Sequence, residues 1–242
     1  MANLVDSVVA LAQDSFTSSS TQLHPLGTRA YTTDGRRYRY CQAGAADLVA
    51  GNLTQGAAPV ANHLANTPPA VAIGATSFTY TPGATAGDAN LYSEGYLQID
   101  TTPGTGYTYQ VSGHPAIVSA TAFTLTLKDA MQVALTTSSR VGLIPNPYKN
   151  VIISATTITA KVVGVAGYII SATEYGWLNT WGACSTLING TPAITAPVIN
   201  GGTTAGSVDV WTAGAQPTAN LVGHMMQVGV STKRNFVFLT ID

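Results

Sequence analysis

The chain has 242 residues, 45% of them hydrophobic, with ten Lys and Arg against eleven Asp and Glu for a net charge of −1. That is long enough to bury a core in one large or two small domains, and too neutral to project a field toward nucleic acid or an anionic membrane. Only 9% of the residues are charged, against roughly 25% in ordinary globular domains. Polarity rests instead on Thr, Ser, Asn, Gln and Gly, so such a surface can pack against protein with few charges to desolvate.

The start, MANLVDSVVALAQDSF, lacks a basic n-region and contains Asp6 and Asp14, which argues against a signal peptide. No apolar run approaches the ~20 residues of a membrane helix. The expectation is a protein made in the cytosol and used or assembled there. Residues 1–25 read as an extended N-terminal arm. Val5, Val8, Val9 and Leu11 could form a short amphipathic turn or two, and SFTSSSTQ is too polar to hold itself together. Such an arm either orders on a partner or frays.

TTDGRRYRYC follows as a hairpin signal, with Asp34-Gly35 placed for a type I′ turn. On its second strand Arg37, Arg39 and Cys41 alternate with Tyr38 and Tyr40. Arg29, Arg36, Arg37 and Arg39 fall within eleven positions, whereas no Lys or Arg occurs from Tyr40 to Leu127. The cluster is either a solvated hairpin face or a docking surface for an acidic neighbour.

Residues 42–74, rich in Ala, Gly, Asn and Pro, hold no long element. β signals dominate from there on. TSFTY, GYLQID, YTYQV, FTLTL, QVALT and VGLI are short, rich in β-branched and aromatic residues, and separated by turn clusters. Their spacing predicts an all-β fold, with short antiparallel strands in a sandwich or barrel-like arrangement. Pro145-Asn146-Pro147-Tyr148 is rigid punctuation. The resulting division is an arm over 1–25, a β-rich docking domain over 26–74 and 148–242, and an inserted β subdomain over 75–147. Any outward-facing role would sit in the insertion. The closing NFVFLTI is apolar on both faces, which predicts a central strand.

No constellation for chemistry emerges. His24, His63, His114 and His224 are scattered, and Cys41 and Cys184 share no motif spacing, so neither metal nor cofactor is expected. Gly104-Thr105-Gly106 lacks the final glycine and the βαβ setting of a dinucleotide fingerprint. Glu94 and Asp100 could be drawn as a glycosidase pair, but both sit beside turns and nothing nearby would raise a pKa. No catalytic residue is assigned. Tyr92, Tyr96, Tyr107, Tyr109, Tyr175, Trp177 and Trp181 could form a sugar-stacking platform. Tyr175, Trp177, Asn179 and Trp181 alternate on one strand face, however, which fits core or subunit interface better.

EGYLQID, GYTYQV, LTLKDAMQVAL, LIPNPYKNVIIS and GVAGYIISATEYGWLNTWG, together with LGTRAYTTDGRRYRYCQAGAADLVAGNL, resemble the head decoration, or cement, proteins of tailed bacteriophages. The resemblance covers most of the chain beyond residue 25 in ordered blocks. The stretch from Glu174 to Gly182 resembles a tightly turning β segment of that family, although Asn179 stands where a long polar residue is expected and Trp181-Gly182-Ala183-Cys184 is unusual. The resemblance implies a non-enzymatic virion protein, assembled in the host cytoplasm and bound to the outer capsid surface. Its partners would be the major capsid protein and itself, as a homotrimer, with no nucleic acid or membrane. Arg29, Arg36, Arg37 and Arg39 are then the expected capsid-docking set, and Tyr175, Trp177 and Trp181 the expected subunit interface or core. The alternative is a tail or baseplate adhesin that touches host glycan through surface Tyr and Trp.

Overall fold

A computed structural model describes residues 5–6, 9–10, 13–212 and 220–242. Among these the chain is all-β, its strand ladders are antiparallel, and its one helical piece is a 3-10 turn at Ala61–His63. Among the described residues no helix is long and apolar enough to cross a membrane. Strands β1 (Val5–Asp6), β2 (Val9–Ala10), β3 (Arg29–Tyr31), β4 (Arg37–Gln42) and β5 (Leu53–Gln55) come first. They are followed by β6 (Ser77–Tyr80), β7 (Tyr96–Thr101), β8 (Thr108–Gly113), β9 (Phe123–Leu127) and β10 (Arg140–Ile144). The last third holds β11 (Ile152–Ile153), β12 (Val162–Ala166), β13 (Tyr175–Leu187), β14 (Pro197–Asn200), β15 (Val208–Val210), β16 (Leu221–Met225) and β17 (Arg234–Thr240).

These strands form two compact units, Met1–Ala57 with Pro147–Asp242, and Ala58–Asn146. The second unit begins earlier than residue 75, where the sequence places it. Its leading segment has no strand of its own, but Asn66 bridges to Val141 and Val71 to Leu135, and Val71 is buried in the unit's core. A chain that covers a core through isolated bridges carries no periodicity to read. The unit's five strands run in the order β10-β7-β8-β9-β6; β6 and β9 alternate strictly, β7 and β8 nearly so, and β10 buries Val141, Gly142 and Leu143 in succession. Phe78, Leu97, Ile99, Val111, Phe123 and Leu125 point inward, while Thr79, Gln98, Thr124 and Thr126 point outward. Period-two burial on one face is what a one-sided antiparallel sheet requires.

The first unit is built on a twelve-stranded sheet whose main path runs β15-β14-β16-β17-β13-β4-β3-β1-β2. β13, 13 residues long, organises it. One edge pairs with β4 over Tyr175–Trp181, and the other takes β12 at Leu178 and Asn179 and then β17 over Trp181–Leu187. β17 is therefore central, as its composition predicts. Its inward Val237 and Leu239 join Leu53, Val165, Cys184 and Val222 in one core cluster. Cys41, Leu178 and Ile170 lie in a second, and Trp177, Tyr38 and Tyr40 in a third. Cys41 and Cys184 are free and buried, and burial pushes both thiols up, away from the reactive thiolate form.

The N-terminal arm differs from its expectation. Val8 and Leu11 lie outside the described residues, while Val5–Asp6 and Val9–Ala10 pair as two-residue strands instead of a helical turn. So short a helix cannot meet its nucleation cost, and valine favours extended backbone. Further along, the polar stretch neither frays nor awaits a partner. Gln13 Nε2 donates to the carbonyls of Thr17 and Tyr175, Tyr40 donates its hydroxyl to Gln13 Oε1, and Ser19 bridges Tyr175. Side-chain amides and hydroxyls, not apolar burial, hold this segment on its own sheet.

Candidate functional site

The β3–β4 hairpin sets the first part of the site. Thr32 N–H donates to Arg36 O and Gly35 N–H to Thr32 O, both at 3.0 Å, so the loop has three residues. Gly35 takes a positive φ of 85° and Asp34 does not. The turn is thus a type I turn closed by a left-handed glycine, not the expected type I′. Asp34 accepts from the Thr32 hydroxyl and, at 2.8 Å, from Arg36 Nε. The Thr32 hydroxyl, followed by the Arg36 backbone and side chain, holds the Asp34 carboxyl below its usual value against the opposing effect of burial. This folds Arg36 back over β13, where its Cγ and Cα would lie 3.1 and 3.3 Å from a Cβ on Gly182. Gly182 has φ +91°, so the close approach and the backbone both call for glycine there.

The four arginines separate into different roles. Arg39 is committed internally, with Nε 3.0 Å and Nη2 2.6 Å from the two Asp242 oxygens and Nη1 2.8 Å from Gly27 O. Burial pushes the Asp242 carboxyl up, but the hydrogen bonds and charge of Arg39, with Arg29 and Arg37 behind them, outweigh it and hold the group below its ordinary value. Arg29 touches the same carboxylate only at 3.7 Å and leaves 58% of its side chain exposed. Arg37 places its guanidinium 4.8 Å from the Trp181 ring centroid, within cation–π range. Arg36 pairs with Asp34.

Trp181 does not share a face with Trp177. Asn179 pairs with Tyr38 and Trp181 with Arg37, which leaves Thr180 as an extra residue in β13. This β-bulge inverts the alternation. Trp177 is 0% exposed against Tyr38 and Tyr40, and Tyr175 stacks on Tyr40 at 6.1 Å. Trp181 turns to the opposite face, where it meets Phe238 edge-on at 5.7 Å.

That outer face continues across the sheet. Phe238 lies opposite Ala183 and His224, and Phe236 opposite Ser185. Phe236 is 50% exposed, Phe238 38% and Met226 46%. Together with Trp181, Gly182 and Arg36 these side chains line a depression of about 550 Å³. Exposed aromatics, a thioether and a stacked guanidinium on a rigid sheet are the residue types that concentrate at the centre of protein interfaces. The sequence reading missed Phe236, Phe238 and Met226. Apolar residues on both faces of β17 identify a central strand, but not that one face is open.

The other sequence candidates fall elsewhere. Tyr92 and Tyr109 are buried in the second unit, while Tyr96 and Tyr107 are exposed there. Asp100 is on the exposed face of β7, and Glu94 precedes that strand in a left-handed turn. His63 and His114 are buried on either side of Tyr92: His63 Nδ1 meets the Tyr92 hydroxyl and His114 Nε2 accepts the Tyr92 N–H. Among the described residues no group of three His, Cys, Asp or Glu is arranged to hold a metal. No protein-family model, curated protein or solved structure matches the chain.

Proposed function

We propose that this chain is a structural virion protein that binds the outer surface of an icosahedral phage head and clamps neighbouring capsomers. The observation that carries the reading is the open aromatic and arginine face of the first unit, where Phe236, Phe238 and Met226 are exposed and the half-buried Trp181 lies beside Arg36 and Arg37. The ordered sequence blocks that resemble phage decoration proteins supply the kind of particle. A clamp across a seam gains avidity from each additional contact. The aromatic part of such a face keeps its contribution when ionic strength changes, whereas the arginine pairs are screened. The major capsid protein is the partner under this reading, and a homotrimer is the assembly that the resemblance implies.

The arginines contribute unequally. Arg39 is already satisfied by Asp242 and Gly27, so pairing with capsid carboxylates falls to Arg29, Arg36 and Arg37. The adhesin reading retains Tyr96, on the outward face of β7 with Gln98 and Asp100, and Tyr107, just before β8, as exposed tyrosines of the second unit. Stoichiometry in purified particles separates the two. Mass spectrometry against the major capsid protein should give a ratio on the order of one copy per few capsid subunits, as multivalent clamping requires. A handful of copies per particle would move the protein to the tail, and absence from particles would refute both.

A further inference from the structure

Tyr92 is 0% exposed in the core of the second unit, and a histidine holds it at its hydroxyl and another at its backbone. His63 Nε2 lies 2.9 Å from Thr85 O, and its Nδ1 meets the Tyr92 hydroxyl. His114 Nδ1 lies 2.7 Å from Pro115 O, and its Nε2 lies 3.0 Å from the Tyr92 backbone N. A carbonyl only accepts and a backbone N–H only donates, so these partners assign the protons. His63 carries its proton on Nε2, His114 carries it on Nδ1, and both rings are neutral. The two differ in what a second proton would meet. The Tyr92 hydroxyl can turn and accept from His63. The Tyr92 N–H cannot reverse, so a proton on His114 Nε2 would set donor against donor.

That bond closes a turn with a strained backbone. Between Asp88 and Gly95 the chain folds tightly, with Leu91 N–H donating to Asp88 O, Ser93 N–H to Asn90 O and Gly95 N–H to Tyr92 O. Asn90 has φ +60° and Glu94 φ +62°. Asparagine tolerates the left-handed region, whereas glutamate enters it at a cost that surrounding contacts must offset. His114 supplies two more of those contacts. Its backbone N–H donates to Asn90 Oδ1 and its carbonyl accepts from the Asn90 N–H, both at 3.0 Å. Its ring packs on Tyr92 and on Phe123 of β9, each at 5.6 Å between centroids. The ionisable groups around it are Tyr92 and His63, with Tyr80 beyond Phe123. Burial pushes both phenols up, so neither offers an anion to an imidazolium. The loop's own carboxylates stand near its ends, Asp88 exposed and Glu94 half-buried.

We propose that His114 is an acid-released latch on the Asp88–Gly95 loop: protonation of its ring breaks the bond to the Tyr92 N–H, and the strained loop opens. The inference concerns the second unit alone and stands apart from the docking reading. Once the loop is open, the ring is free to take up a proton near the ordinary histidine value of about 6.5. The latch is therefore at full strength above about pH 6.5, and below it opening gains up to about tenfold for each pH unit.

The test is amide hydrogen exchange of the full chain by NMR, expressed as protection relative to the intrinsic rate at each pH. From pH 7 to pH 5 the Tyr92 and Gly95 amides should lose about tenfold or more in protection, while the Cys184 and Phe238 amides of the first unit keep theirs. In His114→Gln the side-chain oxygen accepts the same N–H and does not titrate, so protection of the loop should be constant over that range. Nitrogen-15 spectra of the imidazoles need no variant to fold. At pH 7 they should show His114 in its Nδ1–H form and His63 in its Nε2–H form. Constant loop protection in the unaltered protein, or a His114 imidazolium in a loop that stays protected, would overturn the proposal. A His114→Gln protein that keeps the full pH dependence would place the proton elsewhere and equally overturn it.

Discussion

The two units treat the outward faces of their sheets in opposite ways. In the unit spanning Ala58–Asn146, apolar residues point inward and the facing row is mostly hydroxyls, Ser77, Thr79, Thr108, Thr124 and Thr126, with Gln98 and Asp100 and a single aromatic, Tyr96; the Thr79 and Thr124 hydroxyls are 2.9 Å apart. In the other unit, β17 and the distal half of β13 also bury one row, Cys184, Val237 and Leu239, but place Trp181, Phe236 and Phe238 on the other. A sheet face of hydroxyls is complete in water. A face of phenyl and indole rings leaves apolar area in contact with water, worth about 25 cal/mol for each Å² that a partner covers. The difference puts the exposed aromatic sheet face in the first unit, and it is on this face that the docking proposal rests.

That contrast can be broken most severely at the two tryptophans of β13. Trp177→Ala empties a fully buried site and should lower stability by about 3–5 kcal/mol, whereas Trp181→Ala, on the open face, should change it by less than about 1 kcal/mol. Thermal and denaturant unfolding of the two variants decides the matter, and similar losses would mean that the bulge at Thr180 does not separate the faces. The second unit offers the matched pair Leu125→Ala and Thr126→Ala. The first should cost about 2–5 kcal/mol and the second about 0.5 kcal/mol or less, by the same measurement.

A smaller effect concerns the internal arginine. Asp242→Asn should remove about 1–3 kcal/mol at pH 7 by weakening charge-assisted bonds to Arg39. The Asp242 carboxyl is held below its ordinary value in the folded protein. Its contribution is therefore fully present above the ordinary carboxylate value of about 4 and is lost as pH falls through the lowered one. Denaturation curves of the two proteins should diverge at neutral pH and converge in acid. A gap that is constant with pH would assign the loss to packing instead.

Much of this architecture is legible in the residues. The alternation of SFTY, YLQID and FTLTL gives strands of the right face, and the doubly apolar NFVFLTI gives a central strand. Three features are not legible, each for a physical reason. The start of the second unit at Ala58 is made by isolated bridges, which leave no period. Trp181 belongs with Trp177 by strict alternation, and only the pairing partner Arg37 reveals the extra residue. The arginine cluster looks uniform in sequence, yet Asp242, 203 positions from Arg39, removes Arg39 from it. Long-range pairs of this kind are invisible to local pattern. Of the residues at the site, the arginines and Trp181 could be named from sequence. Phe236 and Phe238 in β17, and Met226 just after β16, could not, because their burial depends on which strands cover each face.

The most direct test of the account combines Trp181→Ala and Phe238→Ala in one protein and measures particle occupancy beside thermal stability. Paired losses at an interface centre of about 2 kcal/mol or more predict occupancy reduced by a factor of roughly 30 at limiting protein concentration, with unfolding close to that of the unaltered chain. Unchanged occupancy with an intact fold would contradict the assignment of this face as the docking surface.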